Sequence, residues 1–363
     1  MASGHCAPQS QPQGEEPWNN ENWNYEEVSQ IGSGAYGTVY CVRDRATGLE
    51  YALKKVRVQL SEEGIPQNVI REIATLKALE RRQHPNVVRL LDVCHGLRTE
   101  RELYIHVVFE KCDWDLYQFL RRLPRPLPPQ QLRQMALQAF RGVDFLHANN
   151  VVHRDLKTQN MLVNRDGSLK ICDFGLSRSY SLHAAFTTVV VTLWYRAPEV
   201  LLQSSYSPSV DLWSLGCILA ELHCRGEPLF GGQSETQQLQ LIFHTLGVPS
   251  AHQWPVDAVV PRDAFLQAQQ QPPLGLRQRL RQAHTPLTSQ ALSLIESLLQ
   301  FEGSRRPTAR QCLQHPFFAG SQEPNCPQNA SNSAQFLPTA PPPQQAPTVQ
   351  HQLAAAEGLL GPL

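Results

Sequence analysis

The hydrophobic pattern of this chain changes character near residues 124–129, where Pro124, Pro126, Pro128 and Pro129 break it. Before the break, β-branched and aromatic pieces such as Thr38-Val39-Tyr40-Cys41-Val42 and Tyr104-Ile105-His106-Val107-Val108-Phe109 read as strands. One helical segment interrupts them. Asn68 is placed to cap it, and Ile70, Ile73, Leu76 and Leu79 recur at helical spacing. After the break, Leu132, Met135, Ala136, Ala139, Phe140, Val143 and Leu146 fall on one helix face, and the chain reads mainly helical from Gln131 onward. Strands succeeded by helices predict an α+β protein of two lobes, one small and β-rich with one main helix, the other larger and mainly helical. The pattern is strand-like over residues 23–120. Residues 1–22, rich in Gln, Pro, Asn and Glu, and residues 321–363, with Pro341-Pro342-Pro343-Gln344-Gln345, lack the apolar content for a core and are expected to be disordered.

Composition excludes several classes. The 363 residues carry 32 basic and 32 acidic side chains, so no general attraction to nucleic acid or an anionic membrane is expected. Nine scattered cysteines include no Cys-x-x-Cys pair, which argues against zinc or disulfides and for a reducing compartment. No apolar run approaches spanning length, and the first 22 residues are polar. Cytoplasm and nucleus are the expected locations.

The chemistry concentrates in His153-Arg154-Asp155-Leu156-Lys157-Thr158-Gln159-Asn160 and, further on, Asp173-Phe174-Gly175. One loop offers a base, a cation and an amide oxygen, and a second aspartate precedes a glycine. Phosphoryl transfer from ATP needs that set: a base for the attacking hydroxyl, a cation for the moving phosphate and hard oxygens for Mg²⁺. His153 beside Asp155 suggests a nucleophilic dyad only if a Ser or Cys elbow accompanies it, and none does. A packed, hydrogen-bonded role is expected for His153, and a structural one for His147.

Ile31-Gly32-Ser33-Gly34-Ala35-Tyr36-Gly37-Thr38-Val39 contains Gly-x-Gly-x-x-Gly, a weak signal alone. A dinucleotide-binding turn would lead into a helix. The residues after this turn are β-branched and aromatic, so it joins two strands, and its glycines permit backbone amides to approach phosphates closely. An ordinary hairpin is the plainer reading. Tyr51-Ala52-Leu53-Lys54 in the next strand decides against it.

With Ala197-Pro198-Glu199, these motifs resemble the protein-kinase signature. The resemblance implies that Lys54 grips the α- and β-phosphates and that Glu72 on the first helix holds Lys54. Asp155 would accept the substrate proton, Lys157 would neutralise the transferring group in a manner suited to serine/threonine substrates, and Asn160 and Asp173 would hold Mg²⁺. Glu199 would form a buried structural pair with Arg306.

The segment running from Thr187-Thr188-Val189-Val190-Val191-Thr192-Leu193-Trp194-Tyr195-Arg196 into Ala197-Pro198-Glu199 resembles the activation segment of cyclin-dependent kinases. It is most similar to the branch that partners D-type cyclins, cyclin-dependent kinases 4 and 6. His84-Pro85-Asn86-Val87-Val88-Arg89-Leu90 and the charged link Arg98-Thr99-Glu100-Arg101-Glu102 agree. The resemblance covers roughly residues 23–318 and implies lobe bounds of 23–110 and 111–320. It implies an adenine held by Ile31, Val39 and Ala52 above and Leu162 below, with Phe109 as gatekeeper, backbone contacts from Glu110 and Cys112, and Asp115 at the ribose. The turn residues Gly32 to Thr38, including Ser33, Gly34, Ala35, Tyr36 and Gly37, would cover the phosphates. Thr187 would be the activating phosphosite, with Thr188 second, read by Arg71, Arg154 and Arg178. Tyr36 would be an inhibitory phosphosite, without the paired threonine, because Ala35 stands there. Three positions depart from the family pattern. Gln67 and Asn68 replace Ser/Thr-type residues before Ile70-Arg71-Glu72, and Thr158 stands where proline is usual, with a modest effect on loop stiffness expected. Cys172 precedes Asp173 and reads as a small buried apolar residue.

The expected activity is transfer of the ATP γ-phosphoryl group to Ser/Thr-Pro sites in G1/S cell-cycle control. The expected partners are a D-type cyclin, protein substrates and cyclin-dependent kinase inhibitors, and not nucleic acid or membrane. The alternative is a catalytically weak kinase-fold protein that sequesters a cyclin or inhibitor.

Overall fold

The computed structural model of the chain describes residues 24–34, 37–60, 65, 67–173, 192–265, 272–281 and 283–319. Five antiparallel strands, β1 Tyr25–Gly34, β2 Gly37–Asp44, β3 Glu50–Gln59, β4 Leu90–Arg98 and β5 Glu102–Glu110, form a sheet in the order β1-β2-β3-β5-β4. Side chains alternate across a strand, so the sheet has two apolar faces. Val56 and Val58 of β3 join Leu103, Ile105 and Val107 of β5 in the main core. Leu53 and Val108 point the other way, into a small cluster with Tyr40 and Val42. The charged link becomes the β4–β5 turn, closed by Thr99 Oγ1 accepting from Glu102 N at 3.0 Å.

The first helix, α1 Gln67–Arg82, lies across this sheet against β4. Leu76 and Leu79 are buried and Ile73 packs on the core, but Ile70 is exposed. The helix begins at Gln67, which puts Asn68 inside its first turn and not at the cap position. Helical spacing fixes a stripe, not its limits, and the first apolar position of the stripe, Ile70, overshoots the sheet.

The strand-like stretch also ends earlier than the pattern suggested. After the short β6 Trp114–Asp115, the chain turns into a helix, α2 Leu116–Arg122, because Asp115 Oδ1 accepts from Gln118 N at 2.8 Å. That cap satisfies an end amide, and Leu116, Phe119 and Leu120 bury one face. The predicted long helix is α3 Pro129–Ala148, with proline in its first turn, where its missing N–H is harmless. Every residue of its predicted apolar face is buried.

Around α3 stand β7 Met161–Val163 and β8 Leu169–Ile171, which complete a three-stranded sheet with β6. The remaining α-helices among the described residues are α4 Pro198–Leu201, α5 Ser209–His223, α6 Glu235–Leu246, α7 Leu276–Arg279, α8 Ser289–Leu298 and α9 Ala309–Cys312. From Val210 to His223, α5 is buried all round, so it is the axis of the large lobe. Among the described residues, no helix is long and apolar enough to cross a membrane.

The segment before β4 is tied to the large lobe. Asn86 Nδ2 donates to Leu169 O at 2.9 Å and to Gln138 Oε1 at 3.1 Å. Ile171 N donates to Asn86 O, and Val88 N to Ile171 O, both at 2.9 Å. Gly142 lets α3 come this close, since a Cβ there would sit 2.7 Å from Asn86 O. Arg82, the last residue of α1, donates to Asn149 Oδ1 just beyond α3.

Glu199 of α4 and Arg306 form a bidentate pair at 2.6 and 2.8 Å, as the sequence suggested. The Arg306 side chain is wholly buried, donates also to the carbonyls of Ser209, Gln300 and Phe301, and lies over the Trp213 ring. Arg306→Met strands a buried carboxylate. It is expected to cost about 3–5 kcal/mol, read as a lowered midpoint in urea unfolding, and an unchanged midpoint would show that the pair is dispensable.

Candidate active site

The catalytic loop hangs from the first turn of α5. Asp211, fully buried, accepts from His153 N through Oδ2 and from Arg154 N through Oδ1, both at 2.8 Å. His147 Nε2 lies 2.8 Å from the same Oδ2. This clamp holds Arg154 at φ 70°, a left-handed conformation that a branchless glycine would adopt freely and arginine does not. The chain reverses there and presents Asp155. His153, also buried, spans from this loop to Cys172 O at 2.8 Å, so it packs and hydrogen-bonds in the way its sequence context suggested.

Three candidate residues meet at Asp155. Lys157 Nζ donates to Asp155 Oδ2 at 2.7 Å, and Asn160 Nδ2 donates to Asp155 O at 2.8 Å and to Oδ2 at 3.2 Å. With its nitrogen committed to Asp155, the Asn160 amide has its oxygen left as a metal-ligand atom. Cys172 N donates to Asn160 O at 3.0 Å, which places Asp173 immediately beside the loop. Asp173 itself sits at φ 60°.

The roof of the cleft is set by strand register. Val39 pairs with Lys54, Ala52 with Phe109, Gly32 with Val39, and Thr38 with Lys55. Lys54 is buried on the sheet face turned to the large lobe, and its Nζ reaches Asp173 Oδ1 at 2.6 Å. Burial pulls the Asp173 carboxyl upward, but the Lys54 ammonium, with Lys157 further off, outweighs it and holds the group below the usual carboxylate range. Gly37 at φ +132° has a requirement of its own: a Cβ there would lie 2.1 Å from Lys55 O. Gly34 pairs with Gly37 at the strand ends, Ile31 is half-buried in β1, and Ala35, Tyr36 and the Ser33 side chain lie outside the described residues.

At the far end of the cleft, Leu162 pairs with Asp115 across β6 and β7. Glu110 N already donates to Arg89 O at 3.1 Å, and its side chain accepts from Arg89 N at 2.8 Å and pairs with Lys170 at 2.9 Å. An adenine edge would therefore meet the Glu110 carbonyl. Asp115 is less free than expected, since one oxygen caps α2. Burial pushes its carboxyl up to about 6, against the Gln118 amide. Burial also raises the Cys112 thiol to about 12 and the Cys172 thiol well above its ordinary value, so neither offers a thiolate.

Arg71 and Glu72 are carried on α1, but their side chains lie outside the described residues, as do Arg178, Thr187 and Thr188. Arg154, the third expected phosphate reader, lies over the exposed ring of Tyr206, 5.4 Å from its centre. The sequence reading missed Tyr206 as that platform and Asp211 as the clamp. Asp211 could have been found as the one acid in the first turn of an otherwise apolar helix. Thr158, where a modest effect on loop stiffness is expected, is buried and bonded to Tyr195 and Glu221.

Among the described residues no cluster of three or more His, Cys, Asp or Glu could hold a metal by itself. Asn160 and Asp173 supply two hard oxygens, a set suited to Mg²⁺ shared with phosphates. The cleft, with its strand lysine, paired catalytic loop and glycine turn, is that of a phosphotransferase acting on nucleotides.

The protein kinase domain matches residues 25–318. A cyclin-dependent kinase 4 homolog of Caenorhabditis elegans is 48% identical over 288 residues, 79% of this chain and 69% of its own length. Cyclin-dependent kinase 4 of Xenopus laevis is 48% identical over 296 residues, 81% of this chain and 90% of its own, and that of Ovis aries 48% over 297, covering 81% and 95%. The chain belongs to the protein kinase family, in its cyclin-dependent serine/threonine branch of the 4 and 6 type. Protein kinases of this family use ATP.

Because Asp173 holds its proton less tightly folded than unfolded, its pairing stabilises the fold fully above the unfolded carboxylate value of about 4 and is lost as pH falls through the lower folded value. Wild type is expected to lose stability relative to Lys54→Met between about pH 5 and pH 2, measured by urea unfolding. A difference that does not change over that range would show that the pair adds nothing.

Proposed function

We propose that this cyclin-dependent kinase of cell-cycle control works with a D-type cyclin and phosphorylates serine or threonine preceding proline, at the G1/S step. The observation that carries the catalytic reading is the contact set Lys157–Asp155–Asn160 facing Lys54–Asp173, assembled from three separate stretches of chain. All five functional groups are present and mutually positioned.

In this reading Asp155 orients the substrate hydroxyl and accepts its proton through a carboxylate already aligned by Lys157 and Asn160. Lys157 then has two partners, Asp155 and the transferring phosphoryl group, whose developing charge it offsets. Asn160 Oδ1 and Asp173 would hold Mg²⁺, which when bound neutralises charge between the β- and γ-phosphates. Lys54 would take the α- and β-phosphates, and the backbone between Gly32 and Gly37 would cover them. Ile31, Val39, Ala52 and Leu162 would enclose the adenine, with Phe109 beside it. Catalysis of this kind is mostly positioning.

Cyclin dependence enters through α1, which carries Glu72 and exposes Ile70. Pressing that helix inward would bring Glu72 to Lys54, a two-state element of the kind that switches kinases. Gln67 and Asn68 in its first turn bear on which cyclin fits. Thr187 would be the activating phosphosite, and the Val190-Val191 stretch is the proposed acceptor of the substrate proline.

The test is phosphorylation of a Ser-Pro peptide by the purified chain, alone and with a D-type cyclin. Cyclin-stimulated incorporation is expected, falling about 10²- to 10⁴-fold in Asp155→Asn and lost in Asp173→Asn with cyclin binding intact. Cyclin binding without incorporation, once Thr187 is phosphorylated, would mark a sequestering protein instead. No binding would point to a different cyclin.

A further inference from the structure

Thr158 sits between two catalytic residues, Lys157 and Asn160, in the 3₁₀ turn Thr158–Asn160, and is fully buried. Its Oγ1 lies 3.0 Å from Tyr195 Oη and 3.1 Å from Glu221 Oε1, and Tyr195 Oη lies 2.7 Å from Glu221 Oε2. The three contacts join the three side chains into a closed ring, which passes through both oxygens of Glu221. Each vertex comes from a different part of the large lobe: the catalytic loop, the stretch leading into Ala197-Pro198-Glu199, and α5. Tyr195 is fixed further by its carbonyl, which accepts from Ser214 Oγ of α5 at 2.7 Å.

We propose that Thr158 is a positioning residue for phosphoryl transfer, its hydroxyl closing a ring of three hydrogen bonds that locks the catalytic loop to Tyr195 and to Glu221. The inference rests on the kinase reading given above and concerns how this chain holds Lys157 and Asn160 in place.

Proton counting shows what the ring requires. Three oxygen–oxygen contacts need three protons. With the Glu221 carboxylate ionised, the two hydroxyls both donate to it, and the Thr158–Tyr195 edge has no proton. With Glu221 protonated, each member donates once and accepts once: the carboxyl to Thr158, Thr158 to Tyr195, Tyr195 back to the carboxyl's second oxygen, or the same circuit reversed. The neutral form alone closes the edge that joins the catalytic loop to the segment carrying Tyr195. Buried, fully paired networks of this kind hold geometry firmly, while a half-paired one is costly.

The surroundings favour the neutral form. Glu221 is 1% exposed, and burial pushes its carboxyl up to about 8, against the Tyr195 and Thr158 hydrogen bonds and the charge of Arg121 on α2. Arg121 is itself engaged by Glu227, 3.6 Å away in the loop after α5. Among the described residues, Tyr117 on α2, Cys217 one turn earlier on α5 and Cys224 at the end of α5 also interact with Glu221, and none of these three is a cation. Tyr195 is raised well above its ordinary value by burial and by Glu221, so it stays protonated.

The test compares the cyclin-bound wild-type kinase with Thr158→Val, Thr158→Ser and Glu221→Gln, measuring kcat and KM from pH 6.5 to pH 9. Thr158→Val keeps the shape and removes the hydroxyl. It is expected to lower kcat about five- to tenfold at pH 7, the scale of one net buried hydrogen bond, with KM for ATP unchanged. Thr158→Ser is expected to return kcat to within about twofold. Glu221→Gln gives the ring three protons at every pH, so the fall in kcat expected of wild type above about pH 8 should be absent from it. A Thr158→Val enzyme with wild-type kcat, or a wild-type alkaline fall preserved in Glu221→Gln, would overturn the inference. An inactive wild-type complex would defeat the kinase reading and not the ring, which has its own readout in unfolding. A buried carboxyl raised to about 8 loses stability relative to Glu221→Gln as pH rises from about 4.5 to about 8, and holds level above. A difference flat throughout that window would show Glu221 ionised and the ring open.

Discussion

A single buried carboxylate carries the geometry of the active site. Asp211 contributes no chemistry, yet both of its oxygens are taken by the backbone of the catalytic loop, with His147 completing the set. A carboxylate placed in an apolar helix is tolerated only when its lone pairs are filled. The loop amides fill them, and in return the carboxylate fixes Arg154 in a conformation worth about 1–3 kcal/mol of strain. Everything downstream inherits that reversal: the direction of Asp155, the reach of Lys157 to it, and the turn that brings Asn160 back onto Asp155.

Burial of α5 makes this arrangement stiff. Its faces meet α3, α8 and the turn that leads to Arg306, and its residues bind the loop at two places, through Asp211 and through Glu221, while Ser214 holds Tyr195. Functional residues borrow rigidity from a helix buried on every side. The small lobe has a different construction. Its sheet separates two apolar clusters, and the one charged side chain carried inward from β3, Lys54, finds Asp173 across the cleft, 119 positions away in sequence.

The sequence made the architecture legible where patterns are long. The apolar face of α3 was complete from Leu132 to Leu146, and the strand pairs around Lys54 came from β-branched runs. Short elements escaped: α2 is seven residues whose existence depends on the Asp115 cap, and a local carboxylate–amide contact leaves no periodicity. Ile70 kept to the helical stripe but faces solvent, because a stripe cannot report where its partner surface stops. At the site, the motifs named the candidate residues but not which of them touch. Residue types alone do not say that Asn160 spends its nitrogen on Asp155, nor that Thr158 bonds to Tyr195 and Glu221 through contacts spanning 37 and 63 positions.

The tie between Asn86, Val88 and the β8 strand places a fulcrum. Residues just after α1 in sequence are moored to the large lobe, and Arg82 adds a line to Asn149, so the helix is anchored at its C-terminal end. A rod held at one end sweeps its widest arc at the other. Glu72 stands ten residues from that anchor, a lever arm of roughly 15 Å. A swing of about 10° moves its backbone by roughly 2.6 Å, close to the length of a hydrogen bond. A small torque on the first turn, around Gln67 and Ile70, is thus geared into a displacement large enough to make or break a single ion pair.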